Sequence, residues 1–214
     1  MYYWLVKAIF WLPVRLYFPF RVVGRERIPR RGPLVVVANH ASFLDPILLG
    51  SAFPRRIHFF VLQRMYDWMR LSWFYVGMGT IPVGGADGDH QALRVALRRL
   101  RRRHVIGIFP EGSRSRDGTL GMGKLGTAFL AAKSGVPVLP ACIVGAFQAL
   151  PPGWRVPRPV PVEVRFGEPI CIAAGSGGRL TRTDLLRFSA RLQAAIADLA
   201  IAPARAAGGA GETP

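Results

Sequence analysis

Leu34-Val35-Val36-Val37-Ala38-Asn39-His40-Ala41-Ser42-Phe43-Leu44-Asp45-Pro46 joins an unbroken apolar run to a histidine and a carboxylate five positions apart. The run is opened by Gly32-Pro33 and shows no alternation of apolar with polar residues. It therefore predicts a strand buried on both faces, the kind found in parallel sheets covered by helices on either side. Pro46 leads into Ile47-Leu48-Leu49, which predicts a helix with Asp45 as its N-cap. Strand, loop and helix make one arm of an α/β fold, and loops at the carboxyl ends of such strands are where open sheets place their chemistry. On a loop the two side chains need not share a helical face, so the carboxylate can meet the imidazole. An imidazole oriented by a carboxylate is a general base.

The same strand pattern recurs along the chain. Ile57 to Leu62 and Val105 to Phe109 read as buried strands, Met78 to Val83 as a short one and Val136 to Ile143 as another, while Val160 to Phe166 alternates as a half-exposed strand near a sheet edge. His58 lies inside an apolar run and reads as a core histidine. Met65 to Tyr75, with Trp68, Trp73 and Phe74, reads as an aromatic helix or interfacial lip, and Gly84 to Asp89 as a turn-rich loop. A helix capped by Asp89 and reaching about Arg103 has an apolar stripe of Leu93, Ala96, Leu97 and Leu100, with Arg94, Arg98, Arg99, Arg101, Arg102 and Arg103 on the solvated remainder. Another helix, from about Lys124 to Ser134, ends at Gly135 as a C-cap. Pro151 to Pro161 is a proline-rich excursion, and Leu185 to Leu199 a closing amphipathic helix. Gly121-Met122-Gly123-Lys124-Leu125-Gly126 matches the dinucleotide-binding fingerprint letter for letter. No strand immediately precedes it and the next acidic residue is Glu163, so that reading is set aside.

A chain of 214 residues suits one domain with a sizeable core. Lys plus Arg number 29 against 12 acidic residues, a net charge of +17, while 50% of residues are hydrophobic. That apolar share excludes a disordered basic tail, and the charge calls for an anionic partner: nucleic acid, an acidic membrane surface or a phosphorylated ligand. Cys142 and Cys171 stand apart, which indicates neither a zinc site nor a disulfide framework and fits a reducing compartment. Residues 1–20 are apolar and aromatic but broken by Pro13 and interrupted by Lys7 and Arg15. They do not read as a signal peptide, and aromatic residues mixed with basic ones suit the headgroup boundary better than a membrane span. The expected organisation is a membrane-interface segment at 1–20, a catalytic domain at 21–202 and a flexible tail at 203–214. A plain packing helix is the alternative for the first segment.

The strand at Val105 to Phe109 delivers a second loop, Pro110-Glu111-Gly112-Ser113-Arg114-Ser115-Arg116-Asp117-Gly118. A glycine that lets the backbone approach a ligand, beside hydroxyl, amide and guanidinium donors, is what a phosphate monoester needs.

Asn39-His40-x4-Asp45 followed by Phe109-Pro110-Glu111-Gly112-Ser113-Arg114-Ser115 resembles the glycerophospholipid acyltransferase family, whose members include 1-acylglycerol-3-phosphate acyltransferases. Gly79-Thr80-Ile81-Pro82-Val83 resembles the family's second block and Val136-Pro137-Val138-Leu139-Pro140 its fourth, so the likeness covers roughly residues 20–172. The resemblance implies a single α/β domain, a mixed, mostly parallel sheet flanked by helices. It implies that His40 is the base and Asp45 its partner, and that Glu111, Gly112, Ser113 and Arg114 help hold the acceptor's phosphate. It further implies a lysophospholipid acceptor, foremost 1-acylglycerol-3-phosphate giving phosphatidic acid, an acyl-CoA or acyl-acyl carrier protein donor, and neither cofactor nor metal. The site of action is expected at the cytoplasmic face of the cell membrane, as a monotopic or peripheral protein among membrane lipids.

Two departures bear on this. Ser113 replaces the family's usual Thr and keeps the hydroxyl. The arginine that usually closes the second block is replaced by Gly84 and Gly85, which removes a phosphate ligand unless Arg64 substitutes for it. The acceptor therefore stays open between 1-acylglycerol-3-phosphate and other lysolipids, such as a lyso-ornithine lipid or lysophosphatidylglycerol. A nucleic-acid-binding module built on the Arg94 to Arg103 helix is the distant rival. It has no use for a His-Asp pair and a phosphate loop at two strand ends, so no nucleic-acid partner is expected.

Overall fold

The computed structural model describes residues 2–67, 72–85, 88–173 and 180–202. In chain order it runs α1 (Tyr2–Tyr17), β1 (Phe20–Val23), a short 3-10 turn, β2 (Leu34–Ala38), α2 (Asp45–Ala52), β3 (Ile57–Leu62), α3 (Gln63–Asp67) and α4 (Ser72–Met78). It continues with β4 (Ile81–Val83), α5 (Gly88–Arg101), β5 (Val105–Ile108), α6 (Gly126–Ser134), β6 (Val138–Val144), α7 (Ala146–Ala149), β7 (Val162–Phe166) and α8 (Arg182–Ile201).

The apolar run Leu34–Ala38 is the middle strand of a seven-stranded sheet ordered β1-β7-β6-β2-β5-β3-β4. It is parallel to both neighbours, β5 and β6, and all five of its residues are fully buried. Its side chains still alternate: Leu34, Val36 and Ala38 enter an apolar cluster with α1 and α2, and Val35 and Val37 enter a second cluster with α5, α6 and α8. Both phases of the pleat are apolar because helices cover both faces, which is why no polar position interrupts the run. Among the described residues β6 and β7 are the antiparallel pair, and the other neighbouring strands are parallel. The sheet is thus mixed and mostly parallel, in a single α/β domain.

Three expectations need correction. Asp45 is not the N-cap of α2; Leu44 occupies that position, and Asp45 is the first helical residue. The strand at 162–166 lies near the sheet edge as expected, between β1 and β6, but it is not half-exposed: Val162, Val164 and Phe166 are fully buried. The polar phase of its alternation is absorbed by α8. Arg165 pairs with Glu163 at 2.7 Å and donates to the carbonyls of Leu199 (2.8 Å), Ala200 (3.2 Å) and Ala202 (2.6 Å), a cation at a helix carboxyl end. Third, Arg99 leaves the solvated face of α5: its guanidinium turns inward and donates to the Gly79 carbonyl at 2.6 Å.

One face of the first helix packs on the domain, and the other is exposed. Tyr3, Val6 and Val14 are buried, and the helix packs against α2 and α4, with ring contacts of Tyr2 on Trp73 and Phe10 on Phe74 at 6.5 Å. The opposite face leaves Trp4, Leu5, Ile9, Leu12 and Leu16 more than half exposed. Among the described residues no helix is long and apolar enough to cross a membrane. Trp68 and the flexible tail expected at 203–214 lie outside the described residues.

Candidate active site

Asn39 fixes the exit from β2. Its Nδ2 donates to the Ile143 carbonyl at 3.0 Å and its Oδ1 accepts from the Ile143 amide at 2.7 Å, so one side chain extends the tie between β2 and β6 past the strand end. His40 follows, and the loop turns to bring Asp45 beneath it. All three donors that reach the carboxylate converge on Oδ2: the amides of Ala41 (2.7 Å) and Ser42 (2.8 Å), and His40 Nδ1 (2.7 Å). Asp45 therefore caps its own preceding loop rather than the helix it starts, because the unpaired amides nearest its side chain lie behind it. With a buried carboxylate as acceptor, Nδ1 carries the imidazole proton and Nε2 keeps a free lone pair.

The imidazole is also held by its face. It stacks on Phe109 with centroids 4.3 Å apart and planes 18° apart, and Phe109 stacks on Phe59 at 5.7 Å. A glycine makes this column possible. A Cβ at Gly107 of β5 would come within 2.5 Å of the Phe59 ring, so the strand is bare where the aromatic lies against it.

The second loop braces the first. The Ser115 amide donates to the His40 carbonyl at 2.8 Å, and the His40 amide donates to Glu111 Oε1 at 3.3 Å, so the backbone on both sides of the imidazole is tied to 111–115. Burial pushes the Glu111 carboxyl above its ordinary range, opposed by that amide. The carboxylate faces His40's backbone and does not line the cavity described below, and a carboxylate repels a phosphate, so its geometry is that of a brace. Gly112 has φ +74°, and the carboxylate of Asp117 closes the far side of the loop by accepting from Ser115 Oγ, Thr119 N and Thr119 Oγ1 at 2.9, 3.0 and 2.7 Å. Those bonds, Thr119's foremost, hold its carboxyl down to about 2.

Arg114 lies flat over Phe43, Cζ 3.4 Å from the ring centroid, which fixes the guanidinium plane next to His40's loop. Ser113, Arg114, Arg116 and Gly112 share a cavity of about 1290 Å³ with His40. Phe59, Phe60 and Tyr75 also line it, as do Val6 and Phe10 of α1, so much of its wall is apolar. It exceeds the roughly 300–1,000 Å³ of ordinary small-molecule pockets. Arg64 lines it from α3, and Gly84, at φ +73°, lines it where the family's arginine is missing.

Sequence reasoning missed Lys124. It lies in the glycine-rich stretch set aside as a false fingerprint, yet its amide donates to the Pro110 carbonyl at 2.8 Å and its Nζ lines the same cavity, 2.9 Å from where a Cβ on Gly112 would stand. Closeness in sequence to the second loop was the available signal. Asn39, Phe59 and Ser115 were missed because their roles are backbone ties and stacking, which no residue-type pattern advertises.

His58 is the buried core histidine expected. Its Nδ1 donates to the Gly79 carbonyl at 2.7 Å, and burial, with the nearby cations of Arg99, Arg56 and His104 adding to it, pushes its pKa down to about 4. It stands at the start of β3, the opposite end of the sheet from His40. Among the described residues no group of three or more His, Cys, Asp or Glu side chains stands close enough to hold a metal ion. Cys142 is buried and Cys171 exposed, both free.

A family model described as Acyltransferase matches residues 19–144. The chain is 32% identical over 151 residues to the chloroplastic 1-acyl-sn-glycerol-3-phosphate acyltransferase LPAT1 of Arabidopsis thaliana, covering 68% of this chain and 42% of that protein. It is 24% identical over 152 residues to the 1-acyl-sn-glycerol-3-phosphate acyltransferase of Bacillus subtilis, covering 70% of this chain and 73% of that one. The chain spans less than half the length of LPAT1 and of the chloroplastic 1-acyl-sn-glycerol-3-phosphate acyltransferase BAT2 of Brassica napus. Among solved structures, the 1-acyl-sn-glycerophosphate acyltransferase PlsC of Thermotoga maritima superposes with a TM-score of 0.73 at 25% identity, covering 91% of this chain and 79% of that one.

Proposed function

The chain belongs to the acyltransferase family, and on that footing we propose that it transfers a fatty acyl group from an acyl thioester to the hydroxyl of a lysophospholipid, foremost 1-acylglycerol-3-phosphate, to give phosphatidic acid. The observation that carries this reading is the His40–Asp45 pair, 2.7 Å apart, beside a large, mostly apolar cavity that Arg114, Arg116 and Lys124 also line. In the proposed reaction the acceptor oxygen attacks the thioester carbonyl while its proton passes to Nε2 of His40. Asp45 stabilises the imidazolium that forms. The tetrahedral intermediate collapses by breaking the carbon–sulfur bond, and the imidazolium returns its proton to the departing thiolate. The ester forms, the thiol leaves, and no step needs a cofactor.

The acceptor phosphate is assigned to Arg114, whose plane is set by Phe43, to Lys124 Nζ, and to Arg64 at the cavity wall. The absent second-block arginine at Gly84 favours a second acceptor reading, a headgroup-bearing lysolipid such as lysophosphatidylglycerol or a lyso-ornithine lipid. Acyl-CoA and acyl-acyl carrier protein, both anionic, are the proposed donors and suit the charge of +17. The protein is placed on the cytoplasmic face of the cell membrane, held by the exposed aromatic face of α1 and by attraction to an anionic leaflet.

Acyl transfer measured over a panel of lysolipids with both donors tests this. Fastest turnover on 1-acylglycerol-3-phosphate is expected. Preference for a headgroup-bearing acceptor moves the assignment to the second reading, and no transfer to any lysolipid overturns both.

A further inference from the structure

The excursion between α7 and β7 is unused by this chemistry, and its surface is unusual. Trp154 is 55% exposed and Val156 70% exposed, on a segment stiffened by Pro151, Pro152, Pro157, Pro159 and Pro161. The segment is ordered by its own bonds: the Arg158 amide donates to the Ala149 carbonyl at 2.7 Å and the Trp154 amide to the Pro151 carbonyl at 3.2 Å. Large apolar side chains on a stiffened, solvent-facing loop are held out rather than left out.

Three observations say what covers them. First, the loop is continuous with the exposed face of α1, because Tyr17 Oη donates to the Pro157 carbonyl at 2.6 Å and Leu12 and Leu16 on that helix are 52% and 78% exposed. Second, the two surfaces share one chemistry. Arg158 lies over Trp154 with Cζ 4.4 Å from the ring, as Arg15 lies over Trp11 at 5.4 Å, and Arg155 is exposed beside them. Indoles paired with cations suit the boundary where acyl chains meet anionic headgroups. Third, the sequence from Gly118 to Val162 contains no acidic residue, so nothing there opposes approach to a negative surface.

The loop also adjoins the site. Ser42 of the catalytic loop donates from its hydroxyl to the Leu150 carbonyl at 2.9 Å, and Pro152 lines the same cavity as His40. We propose that the Pro151–Pro161 excursion is a second lipid-contacting lip which, with α1, flanks the cavity and seats it on an anionic bilayer. This rests on the reading that α1 lies on a membrane. Contact on both sides of the cavity lets an amphiphile pass between bilayer and cavity without crossing water.

The test uses the full chain with Cys171→Ser and one added thiol, at Val156→Cys on the loop or Leu16→Cys on α1, each carrying a polarity-sensitive fluorophore; Cys142 is buried. Vesicles of mixed phosphatidylglycerol and phosphatidylcholine are added. Both probes are expected to shift to shorter wavelength, and Trp154→Ala to weaken vesicle partitioning about tenfold, as loss of one interfacial indole does. A shift at 16 but not at 156 overturns the lip and leaves the α1 reading standing. No shift at either overturns both. Unchanged partitioning of Trp154→Ala overturns the lip, as does a shift at 156 that follows protein concentration without vesicles, which would make the face a contact between copies of the chain.

Discussion

His40 is held at three levels: its Nδ1 by Asp45, its ring by Phe109, and its backbone by Glu111 and Ser115. Losing the base is expected to cost more than losing any support. His40→Ala should reduce acyl transfer by roughly a hundred- to ten-thousandfold with the fold retained, because a positioned base contributes about that much. Asp45→Asn should lose most of it, since the amide removes the charge that stabilises the imidazolium. Near-normal single-turnover rates in a folded His40→Ala protein would sink the mechanism. The cations that line the cavity separate by acceptor. Arg114→Ala and Lys124→Ala should each raise KM for 1-acylglycerol-3-phosphate about tenfold or more, the size of a lost charge-assisted hydrogen bond, and barely move KM for a zwitterionic lysolipid. Gly84→Arg should improve use of the phosphate monoester, although φ +73° at that position imposes some strain. Equal effects of Arg114→Ala on both acceptors would remove it from the phosphate site.

At the scale of elements, β2 and the two loops at the carboxyl ends of β2 and β5 were legible because a helix-covered parallel strand leaves an apolar run with nothing in it. Strand β7 was legible as a strand, but its burial was not. Its Glu163 and Arg165 look solvent-facing in sequence, and only the arrival of α8, whose terminal carbonyls take up the Arg165 guanidinium, buries that phase. Arg99 was misplaced for the same reason: a helical stripe predicts a direction, and a long side chain can reach back to a carbonyl at Gly79. The His40–Asp45 pair was legible as residue types at a spacing, whereas Lys124, Asn39 and the aromatic column depend on contacts between loops. His58 gives the corner held by Arg99 a measurable signature. Its pKa is about 4 in the fold against 6.5 ordinarily, so between those values the unfolded chain binds the extra proton. Stability from this residue is therefore whole above about pH 6.5 and falls as the pH drops towards 4. His58→Gln, which keeps a donor for the Gly79 carbonyl, should flatten the denaturation midpoint across that window. An unaltered slope would mean that the imidazole takes up its proton over the same pH range in the fold as in the unfolded chain.

Over the whole molecule, charge and apolar exposure point at the same partner, but they act over different ranges and can be separated. The +17 charge draws the chain to an anionic surface from a distance that shrinks as salt rises, from a screening length of about 10 Å at 0.1 M to about 3 Å at 1 M. On the membrane reading proposed above, the face of α1 acts only on contact, by burying exposed side chains such as Leu12 and Leu16. Deleting the helix would confuse the two with unfolding, because Tyr3, Val6 and Val14 are part of the packed interior and the cavity borrows its wall from Val6 and Phe10. Substitution of the outer face avoids this. Leu12→Glu with Leu16→Glu should leave the thermal midpoint within a few degrees of the parent, as exposed changes do, yet reduce partitioning to anionic vesicles at least tenfold, since each residue loses apolar burial and adds repulsion. Salt should weaken what binding remains in the variant more than in the parent, because the variant has only charge to hold it. If instead both proteins bind equally and salt releases both, the arginines alone carry the attachment, and α1 is simply a packing helix with an apolar back.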